Sequence, residues 1–213
     1  AKDLGTEETI RGNTELKRSV IDNLDLRWEW YLENRDFVSL GFFYKDLSDP
    51  IVSVAEFDIG ITRSWDNADS GEIRGVEFEF RRQLTEQWNV GFNFTYIDAE
   101  ISEIFENGQP QTLTTTFQGQ PEYIWNLSLG YENFGWGLAA NLLYNYVSET
   151  LSDIGLAQRI DGEFTAPNIW EDARHLVDAN ISKTFGVRWR VKFSIKNLLD
   201  AEYREFYDIM DTT

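Results

Sequence analysis

Hydrophobic side chains recur at every second position along most of this chain. In the first such segment Leu24, Leu26 and Trp28 alternate with Asp25 and Arg27. A period of two is the pattern of a β-strand whose two faces meet different surroundings. The sequence predicts eight long strands, with apolar alternation over residues 24–32, 38–44, 76–80, 88–96, 123–131, 136–144, 177–181 and 187–195.

Short and long connections take turns between these strands. The pattern predicts tight turns near Asn34, Glu86, Asn133–Gly135 and Gly186. It predicts long polar loops over Asp46–Glu72, Asp98–Gln120 and Ser148–Arg174, with a fourth that begins at Asp200. Turns at one end and loops at the other indicate an antiparallel meander of hairpins with two unlike rims.

The two faces of these strands differ in charge as well as in hydropathy. The polar positions carry full charges, among them Arg27, Glu29, Glu77, Arg81 and Arg190. An Arg or Lys placed toward lipid at the bilayer midplane costs about 2–4 kcal/mol, so these positions are expected to line a wet or protein-filled lumen. The apolar positions are then expected to face lipid.

Aromatic residues mark the predicted strand ends, where amphipathic rings suit the headgroup zones of a membrane. They are Trp30, Tyr44, Trp88, Tyr96, Tyr123, Tyr131, Trp136, Tyr144 and Trp189. Strands of about 11 residues joined by loops longer than 20 also favour a membrane barrel over a sandwich. The predicted fold is all-β, an antiparallel up-and-down transmembrane β-barrel.

Composition narrows the classes of function. The 213 residues include 19 Lys and Arg against 37 Asp and Glu, a formal net charge of −18 that repels nucleic-acid backbones. Cysteine is absent, which removes disulfides and thiolate metal sites within the chain. Hydrolase and nucleotide-binding motifs are missing and His175 is the single histidine, so we expect neither enzymatic activity nor a cofactor.

Several segments resemble those of one known family. GNTELKRS at 12–19 and IDNLDLRWEW at 21–30 resemble the entry to the C-terminal barrel strands of TonB-dependent outer-membrane receptors. Thr14 and Leu199 stand where that family usually has Pro and Phe. The other similar segments, in the same order, are FFYKDLSDPI at 42–51, GEIRGVEFEF at 71–80, GQPEYIWNLSLGYE at 119–132 and IKNLLDAEYREFY at 195–207.

This resemblance implies the C-terminal portion of a barrel of about 22 strands, with this chain supplying roughly strands 14 to 21. Residues 1–213 would be one partial barrel domain that lacks the plug domain and the last strand. The implied function is active import of a scarce nutrient, such as a siderophore, cobalamin or saccharide, across the outer membrane of a Gram-negative bacterium. Implied partners are lipid and lipopolysaccharide, the protein's own plug, TonB and the small ligand, with no nucleic acid.

Loop residues are the candidates for ligand recognition, because loops on a rigid scaffold usually carry it. Six loop aromatics form a candidate vestibule, although the same rings would also suit packing of loop against loop: Phe57, Trp65, Phe105, Phe117, Phe164 and Trp170. Asp66, Asp69 and Glu72 are a weaker candidate for a loop cation site, and solvated loop carboxylates are the alternative. A calcium-binding EF-hand is disfavoured because Ala68 occupies its third position.

Two other architectures stay open at this stage. A complete eight-strand anchor or adhesin barrel predicts pairing between the strands at Leu24 and Val191. A soluble carbohydrate-binding β-sandwich predicts instead that Trp28, Phe78, Leu127 and Val191 are buried against protein.

Overall fold

The computed structural model describes residues 8–33, 36–57, 61–104, 112–156, 159–160, 163–164 and 168–208. In these residues the chain forms seventeen β-strands and no α-helix. They are β1 Glu8–Ile10, β2 Val20–Tyr31, β3 Phe37–Ser48, β4 Ile51–Phe57, β5 Ile61–Asn67, β6 Ser70–Gln83, β7 Trp88–Ile104, β8 Thr112–Thr115, β9 Tyr123–Asn133, β10 Leu138–Val147, β11 Thr150–Leu156, β12 Arg159–Ile160, β13 Glu163–Phe164, β14 Ile169–Glu171, β15 Arg174–Phe185, β16 Trp189–Ile195 and β17 Glu205–Tyr207.

All eight predicted strands are present and join one antiparallel sheet, here called the long sheet. Its order is β16-β15-β10-β9-β7-β6-β3-β2, and β8 pairs with an extension of β7. Neighbours in this order are also neighbours along the chain, apart from the strands inserted in the loops. The meander inferred from alternating short and long connections is therefore confirmed.

Cross-strand register places the apolar positions of neighbouring strands opposite one another. One row runs Trp28, Leu40, Phe78, Phe94 and Trp125 across five strands. Because side chains alternate between faces, such in-register rows give the sheet one continuous apolar face and one polar face. The register therefore aligns the alternating residues of the eight strands into one apolar surface and one polar surface.

The strands are longer than the apolar alternation predicts. β6 begins at Ser70 rather than near Val76, and β7 continues to Ile104. Beyond the apolar segment the alternation shifts by one residue, because Ile73, Ile97 and Ile101 lie at odd positions whereas the apolar residues of 76–80 and 88–96 lie at even ones. A search for one unbroken alternation stops at this shift, while main-chain pairing of β6 with β7 continues. The predicted turn at Asn34 lies outside the described residues.

A second sheet, here called the loop sheet, gathers parts of the long connections. Its order is β1-β5-β4-β11-β14-β17, with parallel pairing of β1 to β5 and of β4 to β11. The predicted polar loop at 46–72 is thus mostly a hairpin, β4 and β5. The short strands β12 and β13 pair only with each other among the described residues.

Buried hydrophobic residues concentrate at the loop sheet rather than on the long sheet. The core cluster consists of Val52, Val54, Ala68, Ile101, Leu151 and Ile154. On the long sheet Trp28 is 55% exposed, Leu127 44% and Val191 60%, while Phe78 is partly buried. None of the four is buried against protein, which argues against the soluble sandwich.

The long sheet also does not close on itself within the described residues. β2 and β16 lie at opposite ends of its strand order, and each pairs with one neighbour there. The closed eight-strand barrel, which required pairing between the strands at Leu24 and Val191, is therefore not the architecture of this part of the chain. No described helix has the length and hydropathy needed to cross a membrane.

Candidate functional site: the polar face and the loop sheet

An ion-pair cluster occupies the polar face where β2, β3 and β6 lie side by side. Arg27 Nε lies 2.8 Å from Glu29 Oε1, and its Nη2 lies 3.2 Å from Glu79 Oε2. Glu79 also pairs with Arg81, and Arg27 Nη1 lies 3.9 Å from Glu77. This face therefore holds charges that need water or a polar partner.

Small residues on β3 allow this cluster to form across an intervening strand. In the sheet register Gly41 lies between Arg27 on β2 and Glu77 on β6, and Ser39 lies between Glu29 and Glu79. Ser39 is buried under its neighbours, and a Cβ at Gly41 would lie 3.5 Å from the side chain of Glu77. With no bulky group on β3, the guanidinium reaches carboxylates two strands away.

An asparagine ladder continues the same row across β7, β9 and β10. Asn126 Nδ2 donates to Asn93 Oδ1 at 2.6 Å, and Asn145 Nδ2 donates to Asn126 Oδ1 at 2.7 Å. The alternation along the sequence gives no sign of this ladder, because the ladder depends on the register of β9 with its two neighbours. The chemistry of this face is hydrated, amide-rich and ionic.

A shallow cavity of about 600 Å³ lies over this part of the polar face. Its polar lining includes Glu79, Arg81, Asn93, Asn126, Asn145 and Asp178. Positively charged, negatively charged and amide side chains converge there. Such a surface is suited to contact with a hydrated polypeptide or a polar solute. Among the described residues, no three His, Cys, Asp or Glu side chains converge closely enough to hold a metal ion.

The loop sheet carries a second polar arrangement, which is buried. Asp153 is 2% exposed, and its Oδ2 lies 2.6 Å from Arg63 Nη1 in an ion pair without good hydrogen-bond alignment. Ser53 Oγ donates to Asp153 Oδ1 at 2.8 Å. Gln118 binds the main chain of Ser53, accepting from its N at 3.3 Å and donating to its carbonyl. No motif in the sequence marks these residues, which lie far apart along the chain.

The candidate vestibule aromatics occupy different environments. Phe117 and Trp170 pack against the buried cluster of the loop sheet, and the indole N–H of Trp170 is buried. Trp65 lies on β5 and is 38% exposed. Phe57 ends β4 and Phe164 ends β13, while their side chains and the whole of Phe105 lie outside the described residues.

The three candidate cation-binding residues make separate contacts. Asp66 Oδ1 accepts from the backbone N of Asn67 at 2.9 Å. Glu72 accepts from the Tyr44 hydroxyl at 3.2 Å and lies 3.6 Å from Arg74 Nη1. Asp69 is exposed, and its main-chain N donates to the Ser102 carbonyl at 3.1 Å. The described structure does not gather the three into one cluster.

A row of carboxylates marks the end of the apolar face on the loop side. Asp22, Asp46, Glu72 and Glu100 are successive register partners on β2, β3, β6 and β7. They share the face of Leu24, Leu26 and Trp28, so hydrocarbon cannot extend past this row without a large desolvation cost. Register reveals this boundary, which lies between the rows of Leu24 and Asp22.

Aromatic side chains line both edges of the apolar face. At the turn edge Trp88 and Tyr131 lie 4.9 Å apart between ring centroids, and at the loop edge Tyr96 and Tyr123 lie 5.3 Å apart. His175 joins the loop edge, where its Nδ1 lies 2.7 Å from the Tyr144 hydroxyl. An apolar band between two aromatic girdles, backed by a polar face, is the pattern of a membrane β-barrel wall.

The fold therefore defines part of an antiparallel, up-and-down transmembrane β-barrel. Residues 3–198 match the family described as TonB dependent receptor-like, beta-barrel, and the chain belongs to that family. This agrees with the resemblance carried by the sequence segments. A comparison with curated proteins gives no match.

Solved structures of similar fold are receptors and transporters. The copper transporter OprC has a TM-score of 0.64 at 15% identity, over 92% of this chain and 29% of that one. The ferric yersiniabactin uptake receptor FyuA of Yersinia pestis has a TM-score of 0.63 at 17% identity, over 87% of this chain and 26% of that one. The FrpB iron transporter of Neisseria meningitidis has a TM-score of 0.63 at 14% identity, over 91% and 29%. The chain thus spans less than a third of each.

Proposed function

We propose that this chain forms part of the barrel wall of an outer-membrane receptor that imports a scarce nutrient in a Gram-negative bacterium. The observation that carries the proposal is the two-sided long sheet, with a girdled apolar band on one face and an ionic, amide-rich surface on the other. Lipid and lipopolysaccharide are the proposed partners of the first face. A plug domain of the same receptor is the proposed partner of the second.

The proposed cargo is a small nutrient complex such as a siderophore, cobalamin or a saccharide, and the proposed energy source is TonB. The test uses the intact gene in its own host. Deleting it is expected to abolish uptake of one member of a radiolabelled panel of ferric siderophores, cobalamin and oligosaccharides, and a plasmid copy is expected to restore that uptake.

Uptake of that nutrient should also stop when a protonophore collapses the inner-membrane proton gradient, because TonB-coupled import depends on it. Membrane fractionation should place the full-length receptor in the outer membrane. Unchanged uptake of every panel member after deletion, or uptake that persists without the gradient, would contradict the proposed function.

We propose further that the exposed loop-side ring of Trp65 contributes to the ligand vestibule, with Phe57, Phe105, Phe117, Phe164 and Trp170 near the same loops. Trp65 is the best single test, since changing Phe117 or Trp170 would also disturb the packed cluster. Trp65→Ala is expected to weaken binding of the identified nutrient about 5–10-fold, a typical cost of losing one stacking ring.

Trp136→Ala is the matched control, because Trp136 is an exposed tryptophan at the opposite, turn end of the long sheet. Isothermal titration with the purified full-length receptor measures both variants. Equal affinity in the wild type and Trp65→Ala would remove Trp65 from the vestibule.

A further inference from the structure

Main-chain hydrogen bonds link three long connections at the loop sheet. β4 from the first connection pairs in parallel with β11 from the third, with Val54 opposite Ile154. Gly119 of the second connection donates its N–H to the Leu151 carbonyl of the third at 2.8 Å. Each connection therefore has at least one main-chain link to another.

Asp153 is the residue on which the side-chain contacts between these connections converge. Its carboxylate lies on β11 and reaches Arg63 on β5 and Ser53 on β4, so it contacts both strands of the first hairpin. Gln118 of the second connection holds the main chain of Ser53. One buried carboxylate therefore links the third connection to the first, which in turn holds the second.

The burial of Asp153 makes separation of these parts costly. If β11 moved away alone, the buried Asp153 side chain would lose its contacts with Arg63 and Ser53, and breaking a largely buried ion pair is destabilising. Motion of the three connections together leaves the pair intact. We propose that the loop sheet opens and closes as one body, held together by Asp153, rather than loop by loop.

This inference concerns motion and does not depend on the identity of the nutrient. Hydrogen–deuterium exchange of the full-length receptor in detergent micelles tests it, with Asp153→Asn as the variant. We expect amides of β4, β11 and residues 115–120 to exchange roughly 100-fold faster, all by a similar factor. Amides in the middle of β9 and β10 should keep their wild-type rates.

Asp66→Asn is the matched control, because it removes an exposed carboxylate from the same hairpin and should leave these rates unchanged. Ser53→Ala is the milder variant if Asp153→Asn does not fold, and it should accelerate exchange in all three segments about 5-fold. Acceleration confined to β11, or unchanged rates in the folded variants, would overturn the proposal.

A cysteine pair supplies a rescue. The chain has no cysteine, and Val54 and Ile154 are register partners on adjacent strands. In the Asp153→Asn background, an oxidised Val54→Cys, Ile154→Cys pair should return exchange in β4 and β11 to within about 3-fold of wild type, whereas the reduced pair should not. Failure of the oxidised pair to slow both strands together would count equally against one-body motion.

Discussion

Asn67 binds the main chain of Lys17 through both ends of its side-chain amide. Its Oδ1 accepts from Lys17 N at 2.7 Å, and its Nδ2 donates to the Lys17 carbonyl at 3.2 Å and to the Asp49 carbonyl at 2.7 Å. Lys17 and Asp49 belong to two of the segments that resemble the receptor family. One side chain thus joins an irregular entry segment to the start of the β4–β5 hairpin.

Replacing Asn67 by Ala is expected to release the segment 13–19. Loss of these hydrogen bonds should reduce local stability by about 1–2 kcal/mol, and amides 15–19 should exchange about 10-fold faster. Hydrogen–deuterium exchange of the full-length receptor checks this. Asn133→Ala, at the far end of the sheet, serves as the control, and unaltered exchange at 15–19 would show that Asn67 does not hold the segment.

The neighbouring leucines Leu142 and Leu143 test which face meets lipid. They are 45% and 42% exposed, but alternation puts Leu142 on the apolar face and Leu143 on the polar face. Leu142→Arg is expected to cost about 2–4 kcal/mol of folding free energy in a bilayer, whereas Leu143→Arg should stay within about 0.5 kcal/mol. Denaturant titration in phospholipid vesicles measures both, and equal costs would refute the assignment of faces.

Gly75 lies where no side chain fits. A Cβ there would overlap the ring of Phe43 and the main-chain oxygen of Tyr96, which cannot move without disturbing the sheet. Gly75→Ala is expected to lower the unfolding free energy by about 1–3 kcal/mol. Gly12→Ala, where nothing lies within 4 Å of the new methyl group, is the control. The same titration compares them, and equal stability of both variants would mean that the ring of Phe43 does not cover Gly75.

Tyr203 supplies a pH-dependent contact outside the long sheet. Its hydroxyl donates to Glu205 Oε1 at 2.8 Å, and this hydrogen bond raises the pKa of Tyr203 to about 12. The stabilisation is therefore fully present below the unfolded pKa near 10 and is lost as pH rises toward 12.

Phenolate absorbance of the wild type minus that of Tyr203→Phe isolates this one titration. We expect a midpoint near 12 in the difference, and a shift toward 10 in the Glu205→Gln background, because the acceptor no longer carries a negative charge. A midpoint near 10 with Glu205 intact would contradict the contact.

The local pattern predicted the strands well because alternate residues of each strand face two different environments, and their polarity follows those environments. All eight predicted strands occur, and the alternating connections correctly gave the antiparallel order. The family resemblance is confirmed by the match over residues 3–198. β6 and β7 were predicted too short, since both strands continue past the point where the parity of their apolar residues changes.

Contacts between segments distant in sequence could not be predicted from the hydrophobic period. Asp153 and Arg63 are charged residues with no distinguishing local pattern, and only the parallel pairing of β4 with β11 brings them together. The amides of Asn93, Asn126 and Asn145 meet only because two strand pairings, β7 with β9 and β9 with β10, have the right register. Trp65 remains a proposed vestibule residue.

The sequence alone determined which side chains share a face, because a β-strand turns every second residue the same way whatever lies beside it. Only the tertiary structure decided which strands pair and in what register. That in turn decided where charged side chains form ion pairs and where only glycine fits. Strand order and register depend on main-chain hydrogen bonds between segments far apart along the chain. These bonds involve no side chains, so they produce no periodic pattern in the local sequence.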